Sequence, residues 1–225
     1  MARPKAGYRC SDGKQVPGVT TIIGRFKDSS ALLYWAFEQG KSCERGEIAK
    51  LYDKRDEAAD AGTLAHSMVE AHLDGLDPYA VCMDGQPDEI KRAARLGFEN
   101  YLAWSTNNHL EVIHQEVPLV SETHRFGGCL DAIAIDANGN LCLLDWKTSN
   151  GVYADYILQL AAYKILWEEN HPDAMITGGF HLSRFSKENA DFTHHFWAEL
   201  EDALRQFLLF RQAYDIDKIL KKRVR

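Results

Sequence analysis

The sequence predicts a single α/β domain with a central mixed β-sheet, helices on its faces and a helical N-terminal half. Two observations indicate this fold class. Up to about residue 105, apolar residues recur at helical spacing between typical helix boundaries. From about residue 108, strand-like and helix-like segments follow in the order β-β-β-α-β-β-α. We therefore expect one domain over residues 1–225, with a helical part at 16–105 and a sheet-containing core at 108–215.

The N-terminal half contains four segments with helical features. The first, "PGVTTIIGRF", is compatible with a short helix or a strand. The second, "SSALLYWAFEQGKSCERGEIAKLY", offers Ser29 or Ser30 as its N-cap. The third, "RDEAADAGTLAHSMVEAHLDG", should end at Gly75, and the fourth, "PDEIKRAARLGFENYLAW", should begin at Pro87, which acidic residues follow.

The second half should supply the sheet. Three strands, a helix, two strands and a last helix are predicted, in this order: "LEVIHQEVPLV", "RFGGCLDAIAID", "LCLLDWK", "DYILQLAAYKILWEEN", "MITGGFHLSRF", "ADFTHHFWAEL" and the region of "LRQFLLFRQAY".

Composition narrows the functional class. The net charge of -7 argues against a protein that coats nucleic acid through its overall field, although it leaves room for a local basic groove. Five cysteines without CxxC spacing favour reduced thiols and a cytoplasmic location. No apolar run reaches about 18 residues, and the first residues lack the apolar core of a signal peptide, so no membrane association is expected.

The segment "LCLLDWKTS" places two opposite charges at the end of a buried strand. Asp145 and Lys147 are two residues apart and therefore point to the same face. Asp131 lies on the preceding strand, across the connection "DANGN". A two-residue Asn-Gly turn would put Asp131 and Asp145 on opposite faces. A three-residue loop, with Gly139 in the left-handed conformation, would put them opposite each other on one face, and the residues of this loop suit that geometry.

Two facing carboxylates repel each other unless one takes up a proton or a hard cation binds between them. A neighbouring lysine could then hold a phosphate oxygen or a water molecule, which is a chemistry suited to phosphodiester hydrolysis. The alternative is structural: a buried ion pair between Asp145 and Lys147, with Asp131 as a solvated hairpin residue.

The segment "GGCLDAIAIDANGNLCLLDWKTS" resembles the core of the PD-(D/E)XK nuclease superfamily, which has an aspartate on one strand and (D/E)-x-K on the next. In addition, "YILQLAAY" resembles the Q-x-x-x-Y helix of the RecB-type branch, and "GTLAHSMVEAHLDG" resembles its upstream G-T-x-x-H motif. The segment "VPGVTTIIG" resembles the opening of many phage-encoded members. The resemblance covers roughly residues 16–165, and its motifs occur in the right order. It implies a restriction-endonuclease-like core.

The resemblance also implies roles for individual residues. Asp131, Asp145 and Lys147 would be catalytic, and the metal would be bound by His66, Asp131, Asp145 and the backbone carbonyl of Trp146. Glu70 and Glu116 would lie in a second shell or hold a second metal, although Glu70 is equally compatible with a surface carboxylate. Four residues would contact DNA or support the site: Thr148, Ser149, Gln159 and Tyr163.

The function implied is a metal-dependent DNA nuclease, first of all a phage or prophage exonuclease in DNA recombination, repair or degradation. A structure-specific or restriction-like endonuclease, or a catalytically dead nucleic-acid-binding protein, are the alternatives. The cofactor would be Mg²⁺ or Mn²⁺, and an imidazole ligand favours Mn²⁺. The expected partners are linear double- or single-stranded DNA and a phage single-strand annealing or recombination protein, in the cytoplasm of the host cell.

Two other cofactors are not expected. The "GKS" at residues 40–42 lacks the preceding strand and first glycine of a phosphate loop, so no nucleotide cofactor is predicted. Some RecB-type nucleases carry an iron–sulfur cluster on cysteines near the C-terminus, but no cysteine follows Cys142, so no cluster is predicted.

Overall fold

The structure, a computed structural model, describes residues 7–28, 30–47, 53–81 and 85–224. Ser29, one of the two residues predicted to cap the second helix, and Cys82 lie outside these residues. None of the helices in the described segments has the length and apolar composition that crossing a membrane would require.

The N-terminal half is helical, as predicted, apart from a short hairpin at its start. The second helix begins at Ser30, whose backbone N–H donates to Oδ1 of Asp28 over 2.8 Å. The third helix ends just before Gly75, which has a φ of +71°, and the fourth begins directly after Pro87. The elements are β1 (Tyr8–Arg9), β2 (Gln15–Val16), α1 (Val19–Phe26), α2 (Ser30–Glu44), α3 (Asp53–Leu73), a 3-10 turn (Pro78–Ala80) and α4 (Asp88–Asn107).

The second half has the predicted order of strands and helices. Its five strands form one sheet in the order β3-β4-β5-β6-β7, in which β5 and β6 are parallel and the other neighbours antiparallel. The mixed sheet is therefore confirmed. Its elements are β3 (Glu111–Ser121), β4 (Phe126–Ile135), β5 (Leu141–Lys147), α5 (Ala154–Asn170), β6 (Phe180–Phe185), β7 (Phe192–Trp197) and α6 (Glu201–Arg223).

Helices cover both faces of the sheet. Side chains that alternate along β4 and β5 divide between two apolar cores, because successive side chains of a strand point to opposite faces. Ile133 and Leu143 belong to the core that contains residues of α1, α5 and α6. Leu144 and Trp146 belong to the core that contains residues of α3 and α4. Asp131, Asp145 and Lys147 thus share the face that α5 covers.

Two predicted boundaries are wrong. The strand expected from Met175 begins only at Phe180, because the backbone N–H groups of Thr177 and Gly178 both donate to the carbonyl of Leu141 instead of continuing the sheet. The last helix extends far beyond the segment "LRQFLLFRQAY" and ends at Arg223. Its last turns carry Ile216, Ile219 and Leu220 at helical spacing, but these side chains are exposed and add no residue to the apolar cores.

Candidate active site

The hairpin between β4 and β5 has the predicted three-residue loop. The backbone N–H of Asp136 donates to the carbonyl of Asn140 over 3.0 Å, and Gly139 has a φ of +83°. Ladder pairs from Ile135 with Leu141 to Ala132 with Leu144 continue this register. The next pair in the register is Asp131 with Asp145. The prediction that these two carboxylates lie opposite each other is confirmed.

A third carboxylate, that of Glu116, continues the row onto β3. Gln115 pairs with Ala132 and Val117 pairs with Leu130, so Glu116 stands opposite Asp131. Glu116 has a φ of +48°, an uncommon conformation for a residue other than glycine, and the ladder lacks a pair at this position. The strand therefore carries a local distortion where its carboxylate meets Asp131, which is a frequent feature of functional sites.

His66 reaches this row from α3. Its imidazole and the carboxylates of Glu116 and Asp131 each offer a ligand atom, and these three atoms lie within 4.8 Å of one another. Burial lowers the pKa of His66, although Asp131 opposes the effect. A neutral imidazole is the form that coordinates metals. Glu70, one helical turn further along α3, lines the same cleft as His66 and Glu116.

Asp145 and Lys147 form a buried ion pair. Asp145 is fully buried, its Oδ2 contacts Nζ of Lys147, and its Oδ1 accepts no hydrogen bond from the described residues. Asp131 is partly buried and accepts a hydrogen bond from the backbone N–H of Trp146 over 2.8 Å. The structural alternative is thus correct for the ion pair but wrong for Asp131, which is not a solvated hairpin residue.

Burial and neighbouring charges shift the pKa values of the ionisable groups in this row. Burial raises the pKa of Asp145, the ion pair with Lys147 opposes this rise, and Asp131 adds to it. Burial lowers the pKa of Lys147, but Asp145 and Asp131 outweigh burial and raise it above its ordinary value. Burial and the neighbouring Asp131 raise the pKa of Glu116 to about 7. Carboxylates with raised pKa values, held close together, favour a proton or a cation between them.

The residues predicted to contact DNA or support the site occupy different positions. Thr148 lines the cleft, whereas Oγ of Ser149 donates to the carbonyl of Gly151 over 2.7 Å and thereby closes the end of the strand. Gln159 and Tyr163 are buried, and Nε2 of Gln159 donates to the hydroxyl of Tyr163 over 2.6 Å. Their burial favours the supporting role over direct contact with DNA. Tyr156, which sequence reasoning missed, places its ring 5.2 Å from Nζ of Lys147.

A cleft of about 410 Å³ opens beside the row of carboxylates, and one wall is a face of α3. Gly62 allows this wall to approach β5, since a Cβ atom here would lie 2.6 Å from Oγ1 of Thr148. Steric crowding by Thr148 therefore explains why the G-T-x-x-H motif has a glycine at this position. Lys187, which no sequence pattern identified, also reaches this wall: its Nζ donates to the carbonyl of Ala58 over 2.6 Å.

The donor set fits a divalent cation. Carboxylate oxygens are preferred by Mg²⁺ and Mn²⁺, and an added imidazole nitrogen suits Mn²⁺. His66, Glu116 and Asp131 would hold the ion, with Asp145 beside Asp131. The arrangement differs from the predicted ligand set in two respects. Glu116 lies with His66 and Asp131 in the group that could hold the ion, and Asp145 is paired with Lys147. The role of the Trp146 carbonyl stays a prediction.

The raised pKa of Glu116 predicts a pH-dependent gain of stability for Glu116→Gln in the metal-free protein. A carboxyl group whose pKa is higher in the folded than in the unfolded chain stabilises the fold below its unfolded pKa, and this contribution is lost as the pH rises through about 7. Because burial is partial, we expect the variant to exceed the wild type by about 1–2 kcal/mol in free energy of unfolding at pH 8.

Urea unfolding at pH 4.5 and pH 8, in the presence of a chelator, measures this difference. Glu111→Gln, an exposed position on the same strand, is the matched control and should behave as the wild type at both pH values. Equal stability of Glu116→Gln and wild type at pH 8 would contradict the raised pKa of Glu116.

Comparison with known proteins agrees with this geometry. A sequence model described as "PD-(D/E)XK nuclease superfamily" matches residues 35–220. No match was found among curated proteins.

Solved structures with related backbones include a candidate exonuclease from Eubacterium rectale, with 14% identity and a TM-score of 0.44. That alignment covers 72% of this chain and 66% of the other, so the chain spans slightly less than two thirds of that relative. An alkaline exonuclease from Laribacter hongkongensis, LHK-Exo, has 15% identity over 74% of this chain and 90% of its own, with a TM-score of 0.36.

These backbone similarities are partial, and the assignment rests on the family model together with the D…D-x-K hairpin. The match extends over most of the chain and includes α3, the hairpin and α5, which carry the motifs identified in the sequence. The chain belongs to the PD-(D/E)XK nuclease superfamily.

Proposed function

We propose that this nuclease is a divalent-metal-dependent deoxyribonuclease and that it acts as an exonuclease of a phage or prophage. The observation that carries the metal dependence is the row of three carboxylates across neighbouring strands, Glu116, Asp131 and Asp145, with His66 at one side and Lys147 at the other. Such a row is costly in a folded protein unless a cation neutralises it.

Each residue has a distinct task in this proposal. A divalent cation bound by His66, Glu116 and Asp131 would polarise the scissile phosphate as a Lewis acid. In hydrolysis a water oxygen bonds to phosphorus while one P–O ester bond breaks and the leaving oxygen is protonated. Lys147, fixed by Asp145, can donate to the attacking water or to a phosphate oxygen where negative charge develops.

The order of the sequence motifs, which resembles that of the RecB-type and phage branch, supports the exonuclease mode. A structure-specific or restriction-like endonuclease would use the same row of carboxylates and remains the second candidate. A catalytically dead nucleic-acid-binding protein is less compatible with the structure, since such a protein has no need to bury Asp145 beside Asp131.

Metal-dependent cleavage of linear and circular DNA tests the proposal. We expect an end-labelled linear duplex to be degraded in Mg²⁺ or Mn²⁺, with more activity in Mn²⁺, and to remain intact with a chelator. A covalently closed circle of the same sequence should persist. Cutting of both substrates would make the protein an endonuclease, and binding of DNA without cleavage in any divalent metal would favour the dead-nuclease alternative.

A further inference from the structure

Two polar side chains from different parts of the fold lie beside Gly62. A Cβ atom at this position would lie 2.6 Å from Oγ1 of Thr148 and 3.7 Å from Nζ of Lys187. Thr148 directly follows β5, and Lys187 follows β6. The absence of a side chain at Gly62 therefore leaves a hydroxyl and an ammonium group next to the same point on the cleft wall.

Lys187 is held in place there. Its side chain is half-buried, and its Nζ donates to the backbone carbonyl of Ala58 over 2.6 Å. Burial lowers the pKa of Lys187, with a smaller opposing effect from Glu188. An ammonium group has three donors, and the bond to Ala58 uses one of them, so within the part of the chain that the structure describes two remain for a ligand. A partly desolvated cation whose neighbours are a carbonyl and a hydroxyl is suited to an anion that brings its own charge.

We propose that Lys187 and Thr148 form a second phosphate-binding subsite, which holds a phosphate of the DNA strand adjacent to the one that is cleaved. Gly62 lies four residues before His66 on α3, about 6 Å along the helix. This separation is comparable to that of adjacent phosphates along one strand. The cleft is continuous from Gly62 to His66 and Glu116, so a single strand can contact both places. The inference rests on the proposed function, because it assumes that the bound polymer is DNA.

The subsite should determine how the DNA strand is positioned in the cleft. Lys147 is already engaged by Asp145 at the reacting phosphate, whereas Lys187 belongs to a different strand end and touches neither carboxylate in the described hydrogen bonds and ion pairs. Lys187 should thus fix the register of the strand and contribute to affinity, with little effect on the chemical step. A purely structural Lys187 would only fasten α3 to the end of β6 through Ala58.

Neutralisation of single phosphates distinguishes these two roles. The substrates are a series of DNA strands, each with a single methylphosphonate, which lacks the negative charge of a phosphate. The modified position differs from strand to strand and covers the phosphates around the cleaved bond. Dissociation constants are measured in Ca²⁺, which should permit binding without cleavage. We expect one adjacent position at which the neutral group weakens binding to the wild type by roughly tenfold.

Lys187→Met should weaken binding of unmodified DNA by a similar factor. In this variant the methylphosphonate at that one position should cause no further loss of affinity, because the lysine that binds the phosphate is absent. Thr148→Val should lose part of the penalty at the same position. Lys187→Arg, which retains the charge, should restore most of the affinity. Lys14→Met removes an exposed lysine of the β1–β2 turn and is the matched control, with the penalties of the wild type at all positions.

If Lys187→Met keeps every penalty of the wild type, the lysine binds no phosphate and the inference is wrong, whatever the change in overall affinity. A lower melting temperature combined with unchanged penalties identifies the structural role. Because the readout is binding, failure of the wild type to cleave DNA in Mg²⁺ or Mn²⁺ would count against the proposed function alone.

Discussion

Replacement of Asp131 with asparagine should lower the rate of DNA cleavage by roughly 1,000-fold or more, since the loss of a metal-binding carboxylate removes several kcal/mol of transition-state stabilisation. Asp131 occupies the centre of the row, opposite both Glu116 and Asp145. It is also one of the three residues whose ligand atoms converge.

The fold should survive this change. Asparagine has nearly the same shape, and its side-chain carbonyl can still accept the hydrogen bond from the backbone N–H of Trp146. Removal of one of several clustered carboxylates also reduces their mutual repulsion, so the metal-free variant should be at least as stable as the wild type.

Single-turnover cleavage at saturating protein, across a titration of Mn²⁺, separates metal binding from chemistry. Asp173→Asn, which removes an exposed carboxylate after α5, is the control and should cleave normally. If Asp131→Asn regains the full rate at high Mn²⁺, Asp131 contributes only affinity for the ion. If it retains the full rate at low Mn²⁺, the metal lies elsewhere and the site assignment is wrong.

The hairpin that positions Asp131 was predictable from the sequence because its register depends on residues that are adjacent in the chain. The loop residues determine the register, and the register determines which carboxylates face each other. The order of the strands and helices in the second half was predictable for the same reason, since each element carries its own periodicity. The two-residue strands β1 and β2 were missed because they are too short to show any alternation.

The position of Glu116 was only suggested by the family resemblance, for a physical reason. The register of β3 against β4 shifts between Val112 and His114, so counting from the ends of the strands does not locate the partner of Asp131. The positive φ of Glu116 is set by the tertiary structure and has no signature in the sequence. The position of Lys187 could not be predicted from the sequence, because its contact with Ala58 joins residues that are 129 positions apart in the chain.

Replacement of Lys147 by methionine should lower the cleavage rate by roughly 100-fold or more, which is typical for the loss of one preorganised electrostatic group. The ammonium group is fixed by the fully buried Asp145 and contacts the ring of Tyr156, so it is directed before the substrate arrives. An interaction that strengthens as charge develops on the phosphate lowers the barrier, and its loss appears in the rate and hardly in the affinity.

Stability has to be measured alongside, because removal of one partner of a buried ion pair can cost about 3–5 kcal/mol. Lys147→Arg retains the positive charge and should keep the fold, but the planar guanidinium cannot reproduce the point charge of an ammonium group, so its rate should also fall. Lys164→Met is the matched control: Lys164 also pairs with a carboxylate, that of Glu168, but lies outside the site.

The decisive comparison is between cleavage at saturating DNA in Mn²⁺ and DNA affinity in Ca²⁺. A slow but tightly binding Lys147→Met variant identifies a group that acts in the transition state. Normal cleavage with weak binding would make Lys147 a phosphate anchor, and its proposed task in the chemical step would be wrong. The two proposals together therefore predict opposite behaviour of the two lysines, with the rate dependent on Lys147 and the register dependent on Lys187.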